Sequence, residues 1–226
     1  MQYAELNWMQ VESYLSEDDR LMVVLGATEQ HGYLSLLTDV TIPMKLAEAA
    51  SEQSGVLVAP PVNFGCSPYF LAYPGTLSLR VKTLLAVVKD LLRSAHHQGF
   101  RRVLVLNGHG GNRVAQTFLN ELANLLPGLV CHWYDWWLSP VVDQVAEKHG
   151  LQKSHANWLE AFEFTTVVDL PEEDKPMLGR PPAMDASRLR QFYGDGSFGG
   201  AYLAEKAVMD EMFAACLEEV LSLLTF

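Results

Sequence analysis

Cysteine is scarce in this chain: Cys66, Cys131 and Cys216 are widely spaced and form no Cys-x-x-Cys pair. That excludes a disulfide framework and a thiolate zinc clip, and the expectation is reduced thiols in a cytosolic protein. Basic residues are also few. Sixteen Lys and Arg stand against 27 Asp and Glu, a formal net charge of −11. Nucleic acid and anionic membrane surfaces need clustered Lys and Arg, so neither is an expected partner. No apolar run reaches the roughly 18–20 residues that span a bilayer. The start, Met1-Gln2-Tyr3-Ala4-Glu5, has neither the basic stretch nor the apolar core of a secretory leader, and the cytoplasm is the expected location. The glycine-rich turn Asn107–Asn112 has neither a Gly-x-Gly-x-x-Gly pattern nor a Walker lysine, so a nucleotide-binding module is a weak rival reading.

Of the 226 residues, 49% are hydrophobic and 19% charged. That composition suits one globular domain over residues 1–226, and nothing in it requires a second. Apolar runs alternate with helical stripes. Strands are expected at Leu21–Leu25, Val56–Ala59, Val103–Leu106 and Leu129–Trp133. Helices are expected at Thr41–Gln53, at Thr83–Gln98 (closed by Gly99), from an Asn112 cap to Leu126, at Pro140–His149, from near Ala156, and within Phe198–Thr225. This alternation predicts an α/β fold with a mostly parallel sheet flanked by helices, where ligands bind beyond the carboxyl ends of the strands. Leu170–Arg190 is rich in proline and charge, which reads as a surface excursion or, alternatively, as a lid or subunit-contact arm.

Two clusters of potential ligands lie at those strand ends. Glu29, His31 and Asp39 follow Leu21–Leu25, and His109 follows Val103–Leu106 inside Asn107-Gly108-His109-Gly110-Gly111-Asn112. Carboxylates and imidazoles without thiols suit a catalytic divalent metal. Asp39 has two oxygens and can bridge two ions roughly 3.5–4 Å apart. The three glycines around His109 permit positive φ and close backbone approach. Backbone N–H groups at the next helix start can polarise a carbonyl or an anion. Taken alone, His109 reads rather as a hydrogen-bonded turn histidine, and only its conjunction with Glu29, His31 and Asp39 points to a metal. A third segment, Ser154-His155-Ala156-Asn157-Trp158-Leu159-Glu160, offers a histidine and an acid, with Glu163 as a rival carboxylate.

In order, these segments resemble the creatininase (creatinine amidohydrolase) family. Its pattern of Gly-x-x-Glu-Gln-His-Gly, Thr-Asp, Asn-Gly-His-Gly-Gly-Asn and a His-Ala segment followed by Glu is matched at Gly26–Gly32, Thr38-Asp39, Asn107–Asn112, and His155-Ala156 with Glu160. Tyr73–Leu79 is similar to its Phe-Pro-Gly-Thr segment, and Gly194–Lys206 to its C-terminal portion. The resemblance implies a three-layer α/β/α sandwich and two divalent ions per subunit, Zn2+ with Mn2+ or Fe2+ at one site. One ion would be held by Glu29, Asp39 and His109, the other by His31, Asp39 and Glu160, with His155 as general acid/base. It also implies a homo-oligomer, commonly a hexamer. Creatininases proper carry a glutamate where this chain has Gly111, and many members carry a histidine where it has Phe70. The loop from Gly32 to Thr38 is one residue shorter than the common form.

The implied chemistry is hydrolysis of a C–N amide bond in a small-molecule substrate, a cyclic amide, a formamide or a small peptide, with creatinine itself disfavoured by Gly111 and Phe70. Gly110 is the expected oxyanion donor. From the aromatic set Trp133, Tyr134, Trp136, Trp137 and Trp158, the substrate contacts assigned are Trp136 and Trp158, beside a core-packing reading for most of the set. The alternative is a metal-binding but inactive family member serving as an assembly subunit.

Overall fold

Four parallel strands form the frame of the computed structural model, which describes residues 1–226. They are β1 (Arg20–Leu25), β2 (Leu57–Val58), β3 (Arg102–Asn107) and β4 (Val130–Asp135), in the spatial order β2-β1-β3-β4. The β1 and β3 sequences are apolar at every inner position because both faces of the sheet are covered. Alternation by two then divides the core. Met22, Val24, Leu104 and Leu106 face one layer of helices, and Leu21, Val23, Val103 and Val105 face the other.

The first layer holds α2 (Thr38–Ser54), α5 (Pro140–Lys148) and α7 (Lys206–Leu223); the second holds α1 (Trp8–Leu15), α3 (Val81–Gln98) and α4 (Val114–Leu125). This is the α/β/α sandwich expected. From β1 the chain runs through α2 outward to β2. It returns through α3 on the opposite face to β3, so the chain changes direction between β1 and β3. The carboxyl ends of these two neighbours open a crevice, the usual ligand position in open parallel sheets.

Several expected boundaries move, each for a local reason. Helix α2 begins at Thr38, not Thr41, which brings Asp39 into its first turn. Pro43 lies inside that helix and has no N–H to give the Asp39 carbonyl. Gly108 packs against that same carbonyl: a Cβ there would sit 1.8 Å from the Asp39 oxygen. No helix starts near Ala156. The segment makes only a 3-10 turn at Trp158–Glu160, because Ala156 takes φ 54° and reverses the chain. The Leu170–Arg190 excursion runs into a short helix missed in the sequence, α6 (Ala186–Tyr193), capped by Asp185.

Asn112 does not cap α4. It lies in the 3-10 turn Gly110–Arg113 that precedes that helix, and its buried side chain is a cross-tie. The Oδ1 accepts from Cys66 N–H at 3.2 Å, and the Nδ2 donates to the Gly26 carbonyl at 3.0 Å and toward that of Leu25 at 3.4 Å. The glycine-rich turn is thereby fastened to the end of β1. Asn112→Ala leaves the Cys66 N–H and the Gly26 carbonyl without this partner and is expected to cost about 2–4 kcal/mol. Urea denaturation checks this, and a loss under about 1 kcal/mol would refute the cross-tie.

Candidate metal centre

Beyond the carboxyl ends of β1 and β3, Glu29, His31, Asp39, His109 and Glu160 converge, all buried. Ligand atoms of Glu29, Asp39 and His109 lie within 4.8 Å of one another, and so do those of His31, Asp39 and Glu160. Asp39 belongs to both sets. Its Oδ1 lies 3.0 Å from His31 Nε2, and its Oδ2 lies 2.9 Å from His109 Nδ1. On the outer sides, Glu29 Oε1 lies 3.4 Å from His109 Nδ1, and Glu160 Oε1 lies 3.8 Å from His31 Nε2.

Both imidazoles are aimed by backbone carbonyls. His31 Nδ1 is 3.2 Å from the Glu29 carbonyl oxygen, and His109 Nε2 is 2.8 Å from that of Cys66. A carbonyl only accepts, so each of these nitrogens keeps a ring proton, and the opposite nitrogen is the one able to serve as a ligand. Asn107 shapes the turn that delivers His109. Its Oδ1 accepts from His109 N–H, and its Nδ2 donates to the His109 carbonyl and to Asp135. Of the three glycines expected to use positive φ here, none does. Gly108 and Gly111 serve close approach instead, and Gly110 has open space around it.

The cluster fits a divalent cation on its own chemistry. Glu29 Oε2, His31 Nε2 and Asp39 Oδ2 are buried with no hydrogen-bond partner, despite their short approaches. Such atoms are costly to leave unsatisfied, and a cation answers all of them. Burial opposes charge on His31, but Asp39 and Glu160 outweigh it and push its pKa up to about 10. His109 is likewise held well above its ordinary value, as Glu29 and Asp39 overcome burial. Burial also opposes the Asp39 charge, yet His31 and His109 hold this carboxyl well below the usual range. Burial raises Glu160 to about 7 against the pull of His31.

Glu160, rather than exposed Glu163, is the acid that reaches the cluster. Its Oε2 accepts from Ala156 N–H at 2.6 Å, which turns Oε1 toward His31. A glutamate at position 111 is sterically closed to this chain, because any Cβ there comes 1.9 Å from the Cys66 carbonyl oxygen.

His155 stands against the same cluster, its ring 4.6 Å from that of His31. It is stacked on Phe70 at 4.7 Å and flanked by Phe198 at 4.9 Å. Gln30, which sequence reasoning passed over although it sits between Glu29 and His31, controls this ring. Its Oε1 accepts from Gly32 N–H, and its Nε2 donates to the Gly196 carbonyl and to His155 Nε2 at 3.0 Å. The amide orientation is therefore determined, and the neutral imidazole carries its proton on Nδ1. Burial, then the His31 and His109 charges, hold His155 well below its ordinary pKa.

These groups open into a cavity of about 760 Å3 that also touches Gly110, Trp137, Met177 and Arg180. Gly110 is where the sequence put it, the first residue of a 3-10 turn whose leading N–H has no partner within the turn. Trp136 and Trp158 are not. They are 2% and 0% exposed, and both pack in the core layer with α5 and α7. Trp137 is the indole at the cavity wall, since the 3-10 turn Trp136–Leu138 sends consecutive side chains in different directions. The Leu170–Arg190 segment supplies wall residues as well, among them Met177, Leu178 and Pro181.

A parallel α/β/α sandwich with histidines and carboxylates gathered at its switch point defines a class, α/β proteins with a candidate metal centre at the strand ends. The chain belongs to the creatininase (creatinine amidohydrolase) family, whose model matches residues 4–224. It is 34% identical over 115 residues to a creatinine amidohydrolase of Pseudomonas putida, covering 48% of this chain and 44% of that one. It is 38% identical over 99 residues to a mycofactocin precursor peptide peptidase of Mycolicibacterium smegmatis, covering 41% and 40%. A 3-dehydro-scyllo-inosose hydrolase of Thermotoga maritima is 25% identical over 138 residues, covering 58% and 44%. The chain thus spans less than half the length of these curated relatives. A solved creatinine amidohydrolase superposes with TM-score 0.80 at 23% identity, covering 98% of this chain and 95% of that one.

The buried charges predict how the metal-free protein responds to pH. His31 rises from 6.5 to about 10 and Glu160 from 4.5 to about 7 on folding, so the folded state binds more protons than the unfolded one. Their contribution is fully present below the unfolded values and is lost as pH rises through the folded ones. Above pH 6.5 the opposing shifts of His155 and Asp39 have already run their course. The Tm of the metal-free chain should therefore fall by several degrees as pH rises from 6.5 toward 10, and added Zn2+ or Mn2+ should raise Tm more at the alkaline end. Scanning calorimetry with and without metal checks this; a flat metal-free profile would contradict it.

Proposed function

We propose that this chain is a metal-dependent amidohydrolase that cleaves a C–N amide bond of a cyclic-amide or formamide-type substrate. The observation that carries the reading is Asp39, with one oxygen toward His31 and the other toward His109, beside unpartnered buried donor atoms. Glu29, Asp39 and His109 would hold one divalent ion and His31, Asp39 and Glu160 another, Zn2+ with Mn2+ or Fe2+ at one position. What such ions supply is Lewis acidity, which provides a nucleophilic water near neutral pH and a polarised carbonyl. Two solved creatininases described as an Mn form and a Zn–Zn type support this choice of metals.

The chain's own residues do the rest. The Gly110 N–H, free at the start of its turn, donates to the developing oxyanion. His155 carries a proton toward the leaving nitrogen. Its Nε2 already accepts from Gln30, so taking a proton there requires ring and amide to part, and once that proton has gone to the leaving nitrogen the neutral ring accepts from Gln30 again. Phe70 and Phe198 enclose that ring and keep bulk water from it. A substrate other than creatinine fits best, because Phe70 and Gly111 remove polar groups from the wall and the cavity far exceeds one small ring. The relatives' names, covering creatinine, an inosose and a precursor peptide, support a scaffold that accepts varied substrates. The inactive-subunit alternative draws no support, since Glu29, Asp39, His109, Glu160 and His155 all line one open cavity.

Two substitutions separate the roles. His155→Ala should retain bound metal by elemental analysis while turnover of the best substrate from a screen of cyclic amides and formamides falls about 10²–10⁴-fold. Asp39→Asn should lose both metal and turnover. Fewer than about one ion per chain after reconstitution would overturn the reading.

A further inference from the structure

Two cations line the cavity, and only one is committed. Lys153 is held by Asp143 at 2.5 Å and donates to the Trp137 carbonyl. Arg180 has no carboxylate partner and is exposed to the cavity mouth. Its neighbours in sequence are paired, Lys175 with Asp195 and Arg188 with Asp185. In a chain of net charge −11, this guanidinium is left at the cavity without an acid of its own. The only acids lining the cavity are Glu29, Asp39 and Glu160, and all three are spent on the histidine cluster.

Arg180 is also fixed in position relative to the chemistry. Phe198 N–H donates to the His155 carbonyl at 3.1 Å, and Leu178 N–H donates to the Phe198 carbonyl at 2.8 Å. Arg180 follows two residues later, and Pro181-Pro182 confines its backbone to extended conformations. Two backbone hydrogen bonds therefore separate the arginine strap from the His155 segment. Between them the wall is apolar, with Met177, Leu178 and Phe198. The cavity thus joins the histidine–carboxylate cluster, an apolar wall and one uncommitted guanidinium.

We propose that the substrate carries an anionic group, a carboxylate or a phosphate monoester, at the end remote from the scissile amide, and that Arg180 binds it. The inference rests on the amidohydrolase reading for where the amide lies. A guanidinium presents two parallel N–H donors that match either anion, and a bond of this kind is stronger than a neutral one. The apolar wall accommodates a methylene or ring spacer. Exposure of Arg180 makes the preference sensitive to salt.

The test uses N-formyl ω-amino acids of increasing methylene count, the matching alcohols and the matching alcohol phosphate monoesters, with wild type, Arg180→Met and Arg180→Lys. On the metal-loaded protein, the best-fitting anionic member should exceed its alcohol at least about tenfold in kcat/KM, through KM. Arg180→Met should erase that difference without changing kcat for the alcohol, and Arg180→Lys should restore part of it. Carboxylate and phosphate arms show which anion is preferred. Calorimetric binding of the same compounds to metal-free protein is a readout independent of turnover: the anion preference should be present in wild type and absent in Arg180→Met. Failure of the hydrolase reading shows as no turnover of any member with this binding preference intact. Equal binding of anionic and neutral members, or equal losses for both in Arg180→Met, overturns the assignment to Arg180.

Discussion

The structure depends on one carboxylate shared between two imidazoles. Asp39 places an oxygen about 3 Å from each of His31 and His109, in an interior where an unpaired charge would not be tolerated. To get it there, the chain starts α2 early, frees the Asp39 carbonyl by placing a proline four residues on, and presses a glycine of the neighbouring strand end against it. A side chain at Gly108 would displace that carbonyl and the carboxylate with it. Helix start, proline and glycine are thus one device.

Around that carboxylate, the charges cancel only with protons or with cations. Glu29, Asp39 and Glu160 contribute up to three negative charges, and without metal the histidines answer them by holding protons well above their ordinary range. The outer nitrogens of both rings are tied to main-chain carbonyls of Glu29 and Cys66, so the inner nitrogens are the ones that exchange a proton for another positive centre. Ring orientation is set by backbone, which does not titrate. That separates the aim of the ligands from their charge state, and it means a site prepared this way needs little rearrangement when its occupant changes.

Much of this was legible in the chain itself. The apolar runs of β1 and β3 and the stripes of α3 and α4 repeat with the periods of buried strands and amphipathic helices, so the alternation and the parallel sheet followed from local pattern. Glu29, His31, Asp39 and His109 could be placed at strand ends for the same reason. What could not be read were long-range decisions. Trp136, Trp137 and Trp158 are equivalent by composition, and only the packing of two separate 3-10 turns sends Trp137 to the cavity and the others inward. Asn112 has the look of a helix cap, but a stronger set of partners lay on Cys66 and Gly26, nearly ninety residues away in the second case. Gln30 was hidden between two more conspicuous residues, and nothing local tells of its bonds to Gly196 and His155.

The His155–Glu160 segment shows how a missing side chain at one position constrains the backbone at another. With position 111 closed by the Cys66 carbonyl, the last carboxylate has to come from outside the glycine-rich turn. It comes from Glu160, whose second oxygen is bound by the N–H of Ala156, the one non-glycine residue with positive φ. An L-residue in that conformation costs on the order of 1 kcal/mol. A helix through Ala156, the pattern read from sequence, would avoid the strain but would remove the reversal that bends Glu160 back to His31. The strained residue also directly follows His155. The same turn therefore orients the proposed proton carrier and the proposed ligand, and relaxing it would disturb both together.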